Sequence, residues 1–150
     1  MYKKILCATD LDEGSAEAVK QTVQLAHQFD SKIIMLNVHE EFMSKEEMAM
    51  LRVSIEKIKR QFEDVALDAK NEMKKIINYL HAEDIHIDYV LKEGKPNKII
   101  CEESISREVD LIVMGVSEKN ALTNFIFNST AAYVIEQVNI PVLVVPIKNI

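Results

Sequence analysis

The fold of this chain is decided by residues 111–130, LIVMGVSEKNALTNFIFNST. Its first four residues are apolar, which predicts a buried strand that stops at Gly115. A loop follows, and Asn128 or Ser129 can cap the next helix, whose free N–H groups would face an anion. Gly115 permits a positive φ and the close approach of a ligand. The stretch therefore predicts a small-molecule site between a strand and a helix start.

Composition excludes several classes of function. The 150 residues fit one domain, residues 1–150, and 48% of them are hydrophobic. Eighteen Lys and Arg against 24 Asp and Glu give a net charge of −6, which argues against nucleic acid as a partner. The sequence has no apolar run long enough to span a bilayer, its four His lack a zinc spacing, and Cys7 and Cys101 form no CxxC. We therefore expect a cytoplasmic protein without a metal site, whose cysteines are reduced packing residues.

Strand and helix patterns alternate along the chain. Four runs hold consecutive rather than alternating apolar residues, as in parallel strands covered on both faces: residues 3–8, 32–38, 110–115 and 142–145. Residues 85–91 alternate between apolar and polar, which predicts an edge strand. Helical stripes occupy residues 15–29, 44–80, 97–108 and 129–138. This order predicts a single-domain α/β fold, a doubly wound five-stranded parallel sheet of order 3-2-1-4-5 with about four helices. Ligands bind such sheets where the winding reverses, which would place Asp10 beside Gly115.

The second predicted helix is unusually long. Ser44 and Glu47 form a capping box, and apolar residues then recur at steps of three and four as far as Leu80. This spacing predicts one helix of about ten turns at ~3.6 residues per turn. Its stripe either covers the sheet along its whole length or projects at one end and packs on another subunit.

Five short motifs, taken in order, resemble those of the universal stress protein family. They are ATD at residues 8–10, LNV at 36–38, EGKP at 93–96, DLIVMG at 110–115 and IPVLVV at 140–145. The resemblance implies a stress-response or signalling protein that binds an adenine nucleotide: AMP, ADP, or ATP with Mg²⁺. It also implies a homodimer formed through the last strand, by Val142, Leu143, Val144 and Val145.

Nucleotide-binding members of that family carry a glycine-rich phosphate cradle after the fourth strand. Carried over to this chain, the resemblance assigns Ala8, Thr9, Asp10 and Val38 to the adenosine end of the site. It assigns Met114, Gly115, Asn128, Ser129 and Thr130 to the ribose and phosphate end. The sequence departs from the family pattern at Glu118 and Asn128, which replace glycines. A carboxylate at position 118 would repel each phosphate charge by about 4 kcal/mol at ~4 Å, so AMP or ADP fits better than ATP.

No catalytic motif stands out. The sequence lacks a Ser/His/Asp or Cys/His signature and a GxxxxGK[ST] loop, which favours binding over turnover, with at most slow ATP hydrolysis. A phospho-receiver domain would need a phosphorylatable Asp where this chain has Gly115, and a nucleotide hydrolase would need an SGGxDS-like loop after the first strand. The alternative function is a dimeric regulatory protein with an empty pocket, in which the helix from Ser44 recruits a partner protein.

Overall fold

Five strands and five helices lie among the residues that the computed structural model describes, which are 1–11, 15–40, 45–52, 54–117 and 129–147. Strands and helices alternate, except that two helices follow the second strand. The strands are β1 (Lys4–Ala8), β2 (Lys32–His39), β3 (Ile87–Glu93), β4 (Leu111–Ser117) and β5 (Val142–Ile147). The helices are α1 (Ala16–Phe29), α2 (Lys45–Leu51), α3 (Ile55–Tyr79), α4 (Pro96–Ser106) and α5 (Ser129–Gln137). No helix among these residues is long and apolar enough to cross a membrane.

The strands form one parallel sheet in the order β3-β2-β1-β4-β5. The predicted fold class and strand order are therefore confirmed. β3 is an edge strand, as its alternating pattern predicts, although it begins at Ile87 rather than at residue 85. The reversal of winding falls between β1 and β4, where Ala8 is the register partner of Met114.

The central strand β1 is buried on both faces, which explains its continuous apolar run. Ile5, Leu6 and Cys7 have no exposed surface. Leu6 belongs to a core that also contains residues of α4 and α5, whereas Cys7 lies in a core with residues of α1 and α3. The sheet thus separates two helical layers, and its carboxyl edge lies open between them.

The prediction of one continuous helix over residues 44–80 is wrong. The helix is interrupted after Leu51, where Arg52 takes a left-handed backbone conformation with φ of 53°. Ser54 then starts α3 as an N-cap, because its hydroxyl accepts a hydrogen bond from the backbone N–H of Lys57 at 3.1 Å. Ser44 lies outside the described residues, so its capping box is not seen. The described chain consequently has five helices instead of four.

β5, the strand predicted to form the dimer, lies at the free edge of the sheet next to β4. Val145 is buried, Val142 and Val144 are half-buried against the core beside α4 and α5, and 36% of Leu143 is exposed. The backbone groups on the outer side of β5 therefore have no strand partner among the described residues.

Candidate functional site

A cavity of about 210 Å³ opens at the carboxyl ends of β1 and β4, next to the start of α1. We call it the switch-point cavity. Seven of the nine predicted nucleotide-binding residues line it: Ala8, Thr9, Asp10, Val38, Met114, Gly115 and Thr130. Ser129 begins α5 and is exposed outside the lining, and Asn128 lies outside the described residues. The topology therefore brings together most of what the sequence predicted.

Six lining residues were not predicted as site residues: Ser15, Ala18, Leu36, Pro96, Ile100 and Ile147. Ser15 and Pro96 are recognisable in the sequence as helix starts, and helices that follow strands in this fold begin at the carboxyl edge. Ile100 lies one helical turn beyond Pro96, so it shares a face with it. These three residues could therefore have been predicted by assigning each helix start, and the residue one turn beyond it, to the site.

The floor of the cavity is held by a hydrogen-bonded turn at the end of β1. The backbone N–H of Thr9 donates to the carbonyl oxygen of Leu36, and the side-chain amide of Asn37 donates to the carbonyl oxygen of Thr9, both at 2.9 Å. The Thr9 hydroxyl accepts a bond from the N–H of Leu11 at 3.2 Å, and Leu11 has a left-handed φ of 63°. Because β1 can bond no further to β2 here, Asn37 satisfies the last carbonyl of the strand. The sequence analysis missed this role of Asn37.

The polar groups of the lining carry one negative charge and no positive one. Asp10 is exposed, and Thr9 and Ser15 contribute hydroxyl-bearing side chains that are 7% and 5% exposed. Ser15 is the N-cap of α1, yet its side chain makes no capping hydrogen bond. The described lining contains no Lys, Arg or His. It can therefore accept hydrogen bonds from sugar hydroxyls at Asp10, but it offers no side-chain cation to a phosphate.

Apolar side chains form the rest of the walls. Leu36, Ile100 and Met114 are buried at the base, and Val38 and Ala8 are half-buried beside them. Such walls, with a few polar groups at one side, are typical of sites for a flat ring that carries a polar substituent.

Gly115 is needed for space, not for its backbone angle. It lies inside β4, which continues two residues further to Ser117, and it is the register partner of Val145. A Cβ on Gly115 would stand 2.5 Å from Cδ1 of Ile147 and 3.5 Å from the Cβ of Ala18. Gly115 does not use the positive φ that a glycine permits, since the residue adopts strand geometry. Its missing side chain leaves room between α1 and β5 at the cavity wall.

The phosphate end of the predicted site is described only in part. Thr130, in the first turn of α5, lines the cavity. Glu118 and the loop that connects β4 to α5 lie outside the described residues, as does Asn128. The first turn of a helix of nine residues is nevertheless a place where free N–H groups can meet an anion.

A second cavity, of about 360 Å³, lies at the amino ends of β2 and β3, at the opposite end of the sheet from the switch point. Two of its basic side chains already have acidic partners. His27 Nε2 lies 3.1 Å from both carboxylate oxygens of Asp84, and Lys32 Nζ lies 2.8 Å from Asp88 Oδ2. The hydrogen bond from His27 lowers the pKa of Asp84 below its ordinary value. This cluster joins the end of α1 to the start of β3 and is not our candidate site.

Neither cysteine is placed for chemistry. Cys7 and Cys101 are both buried and unpaired, and burial raises the pKa of Cys7 to about 11. A thiol with such a pKa carries almost no thiolate at neutral pH, so it is a poor nucleophile. Among the described residues, no three His, Cys, Asp or Glu side chains are grouped so that they could hold a metal ion.

Known proteins that are similar to this chain belong to one family and share its fold. The model of the universal stress protein family matches residues 1–146. Universal stress protein MJ0577 of Methanocaldococcus jannaschii is 30% identical over 158 residues, which cover 99% of this chain and 98% of that protein. The solved structure of MJ0577 superposes with a TM-score of 0.78 at 29% identity, covering 100% of this chain and 99% of that one.

Two more distant structures share the fold and contain a nucleotide. A universal stress protein in complex with cAMP has a TM-score of 0.62 at 19% identity, with 97% of each chain covered. The universal stress protein of Archaeoglobus fulgidus in complex with dAMP has a TM-score of 0.63 at 16% identity, with 95% of this chain and 97% of that one covered.

Proposed function

The chain belongs to the universal stress protein family, and from that premise we propose that it is a regulatory protein that binds an adenine nucleotide in the switch-point cavity. The observation that carries the proposal is the convergence of Asp10, Val38 and Gly115 on one cavity where the winding of the sheet reverses. Nucleotide occupancy would then be the signal, and turnover is not required.

An adenosine moiety would suit both the apolar and the polar parts of the lining. The adenine ring packs between the apolar side chains at Ala8 and Val38, and the ribose hydroxyls donate to the carboxylate of Asp10. At about 210 Å³ the cavity is smaller than the roughly 300 Å³ at which drug-sized sites begin. It is thus sized for a base and its sugar, and the phosphates extend beyond it towards Thr130.

The number of phosphates is limited by charge. The described lining holds Asp10 and no cation, so phosphate oxygens rely on the hydroxyl of Thr130 and the first N–H groups of α5. Glu118, which stands where the family pattern has a glycine, lies outside the described residues; a carboxylate ~4 Å from a phosphate charge would add a repulsion of about 4 kcal/mol per charge pair in an effective dielectric of ~20. We therefore expect AMP and ADP to bind more tightly than ATP, which would need Mg²⁺ to offset its charge. The cAMP and dAMP found in the two distant relatives carry one phosphate each, in keeping with this preference.

The proposed working form is a cytoplasmic homodimer joined through β5. An apolar edge strand that stays unpaired invites aggregation, and pairing with its mate across a two-fold axis removes that edge. The free cysteines fit a reducing compartment.

One observation favours a second function. The lining, so far as its residues are described, has a carboxylate and no Lys, Arg or His, and is poorly suited to anions. The alternative is a dimeric interaction protein whose cavity stays empty and whose helices α2 and α3 contact a partner protein.

A thermal-shift titration separates the two. AMP, ADP and ATP are added with and without Mg²⁺ to the wild type, to Asp10→Ala and to the surface variant Asp64→Ala, whose side chain is exposed on α3. A ligand that binds only the folded state raises its stability by about 2.7 kcal/mol at a hundred times its Kd. We expect a shift with AMP that is lost in Asp10→Ala and kept in Asp64→Ala. The absence of a shift with every nucleotide would favour the interaction protein.

A further inference from the structure

Helix α3 is longer than the part of the sheet that it covers. Its 25 residues span about 37 Å at ~1.5 Å per residue, whereas the seven residues of β3 span about 23 Å at ~3.3 Å. The buried side chains of α3 are Ala69, Met73 and Ile77, and its main contacts are with β3 and α1. Residues 55–68, more than half of the helix, contain no buried side chain.

The apolar stripe of α3 nevertheless continues through this uncovered half. Ile55, Ile58, Phe62 and Val65 follow one another at steps of three, four and three, which is the spacing of a helix–helix seam. Ile55 is 74% exposed and the other three are half-buried. At the end of α2, Met50 and Leu51 are also exposed, by 83% and 62%. Exposed apolar residues grouped in this way mark an interaction surface.

Charges flank the stripe in a pattern that is complementary to itself. Lys59 and Glu63 lie four residues apart on one flank. Lys57 and Asp68, eleven residues or about three turns apart, lie on the other. Each flank therefore has a cation before Phe62 and a carboxylate after it. All four side chains are exposed, and among the described residues none of them makes an ion pair.

We propose that residues 55–68 of α3 form a docking surface for the same surface of a second copy of this chain, packed antiparallel about a two-fold axis near Gln61 and Phe62. In an antiparallel helix pair each flank faces its own counterpart. Lys59 then meets Glu63 of the mate, Lys57 meets Asp68 of the mate, and Ile58 packs opposite Val65 of the mate. A parallel pair would instead place Lys59 near Lys57 of the mate, which is repulsive.

This contact is separate from the nucleotide proposal and from pairing through β5. Helix α3 packs on β3, which lies at one edge of the sheet, and β5 is the other edge. Pairing through β5 therefore leaves both copies of α3 apart. A chain that used both surfaces would form assemblies larger than a dimer.

Cysteine cross-linking tests the two-fold axis directly. Gln61 is exposed and lies near the proposed axis, so Gln61→Cys should cross-link to itself with a short bismaleimide. Leu67→Cys is the matched control, since Leu67 is 59% exposed on the opposite face of the same helix. The wild type controls for Cys7 and Cys101. We expect a covalent dimer with Gln61→Cys alone. Equal cross-linking of both variants, or of neither, would overturn the proposal.

Charge exchange tests the antiparallel direction. The double variant Lys57→Glu, Lys59→Glu places like charges at both pairs of contacts and should raise the Kd of self-association by about tenfold or more. Adding Glu63→Lys and Asp68→Lys reverses both sides and should restore the wild-type Kd. Sedimentation equilibrium in the Leu143→Lys background, in which a charge opposes pairing through β5, measures this contact alone. An unchanged Kd in the double variant, or failure of the second pair of substitutions to restore it, would overturn the antiparallel arrangement.

Discussion

The side-chain amide of Asn37 donates a hydrogen bond to the carbonyl oxygen of Thr9 at 2.9 Å, and both residues are more than 90% buried. This bond ends the β1 ladder and fixes the turn that presents Asp10 to the switch-point cavity. In Asn37→Leu the Thr9 carbonyl stays buried without a partner, which typically costs about 1–3 kcal/mol. Urea unfolding should show that loss. Asn71→Ala, an exposed position on α3, is the control and should change stability by no more than about 0.5 kcal/mol. Equal stability of Asn37→Leu and wild type would contradict this role.

Because Ile147 occupies the space beside Gly115, the cost in stability of a side chain at position 115 should depend on Ile147. Gly115→Ala places a Cβ 2.5 Å from Cδ1 of Ile147 and should destabilise the fold by about 1–3 kcal/mol through overpacking. Ile147→Val removes that methyl group, so Gly115→Ala should cost about 1 kcal/mol less in the Ile147→Val background. A double-mutant cycle by chemical denaturation measures the coupling. If the free-energy changes of the two substitutions are strictly additive, contact with Ile147 does not limit the size of the side chain at position 115.

Glu103 gives a pH dependence with a definite sign. Burial alone would raise the pKa of Glu103, but Arg107 Nε at 2.7 Å and Lys92 Nζ at 3.4 Å together lower it below its ordinary value of 4.5. A carboxyl group whose pKa is lower in the folded state stabilises the fold above the unfolded-state pKa, and this stabilisation is lost as pH falls through the folded-state pKa. Glu103→Gln should thus cost about 1.5 kcal/mol at pH ~7 and progressively less below pH ~4.5.

The control for this effect is the neighbouring Glu102→Gln, because Glu102 is exposed. Its stability relative to wild type should change little over the same pH range. A gap between Glu103→Gln and wild type that stays constant from pH 7 to pH 3 would refute the ion-pair account.

Pairing through β5 predicts an effect of charge at Leu143. This residue is 36% exposed on the edge strand, so Leu143→Lys should oppose edge-to-edge pairing at little cost to the fold. Light scattering at micromolar concentration should show a mass of at least two chains for the wild type and a lower mass for Leu143→Lys. Leu67→Lys, on the outer face of α3, should match the wild type. A wild type with the mass of one chain would remove the dimer from the account.

Most of the fold could be predicted because the central strands contain consecutive rather than alternating apolar residues. Burial on both faces imposes that pattern on β1, β2 and β4, and strand order followed from the alternation of strands and helices. The break between α2 and α3 could not be predicted by periodicity, since the stripe passes through Leu51 and Ile55 in step. Ser54 was the available signal: inside a helix it is unremarkable, but it is a good N-cap.

The part of the candidate site that depends only on topology could be predicted from the sequence. Asp10 follows β1 and Gly115 lies near the carboxyl end of the adjacent strand β4, so both had to reach the carboxyl edge. Ile147 and Ala18 reach the cavity through the packing of β5 and α1, which no local pattern encodes. Contact with Ile147 explains why residue 115 is a glycine, and no local sequence pattern encodes that contact either. Asn37 did leave a trace, as the one polar residue within the apolar run of residues 33–38.

The central claim is that an adenine nucleotide binds at the switch point, and the most direct test is an amide NMR titration of the ¹⁵N-labelled chain with AMP. The account predicts saturable shifts concentrated at Thr9, Asp10, Val38, Gly115 and Thr130, which all line the switch-point cavity. Amides at the opposite end of the sheet, such as those of His27 and His86, should stay unchanged. No shift at saturating AMP, or shifts centred on the His27 and His86 end, would contradict it.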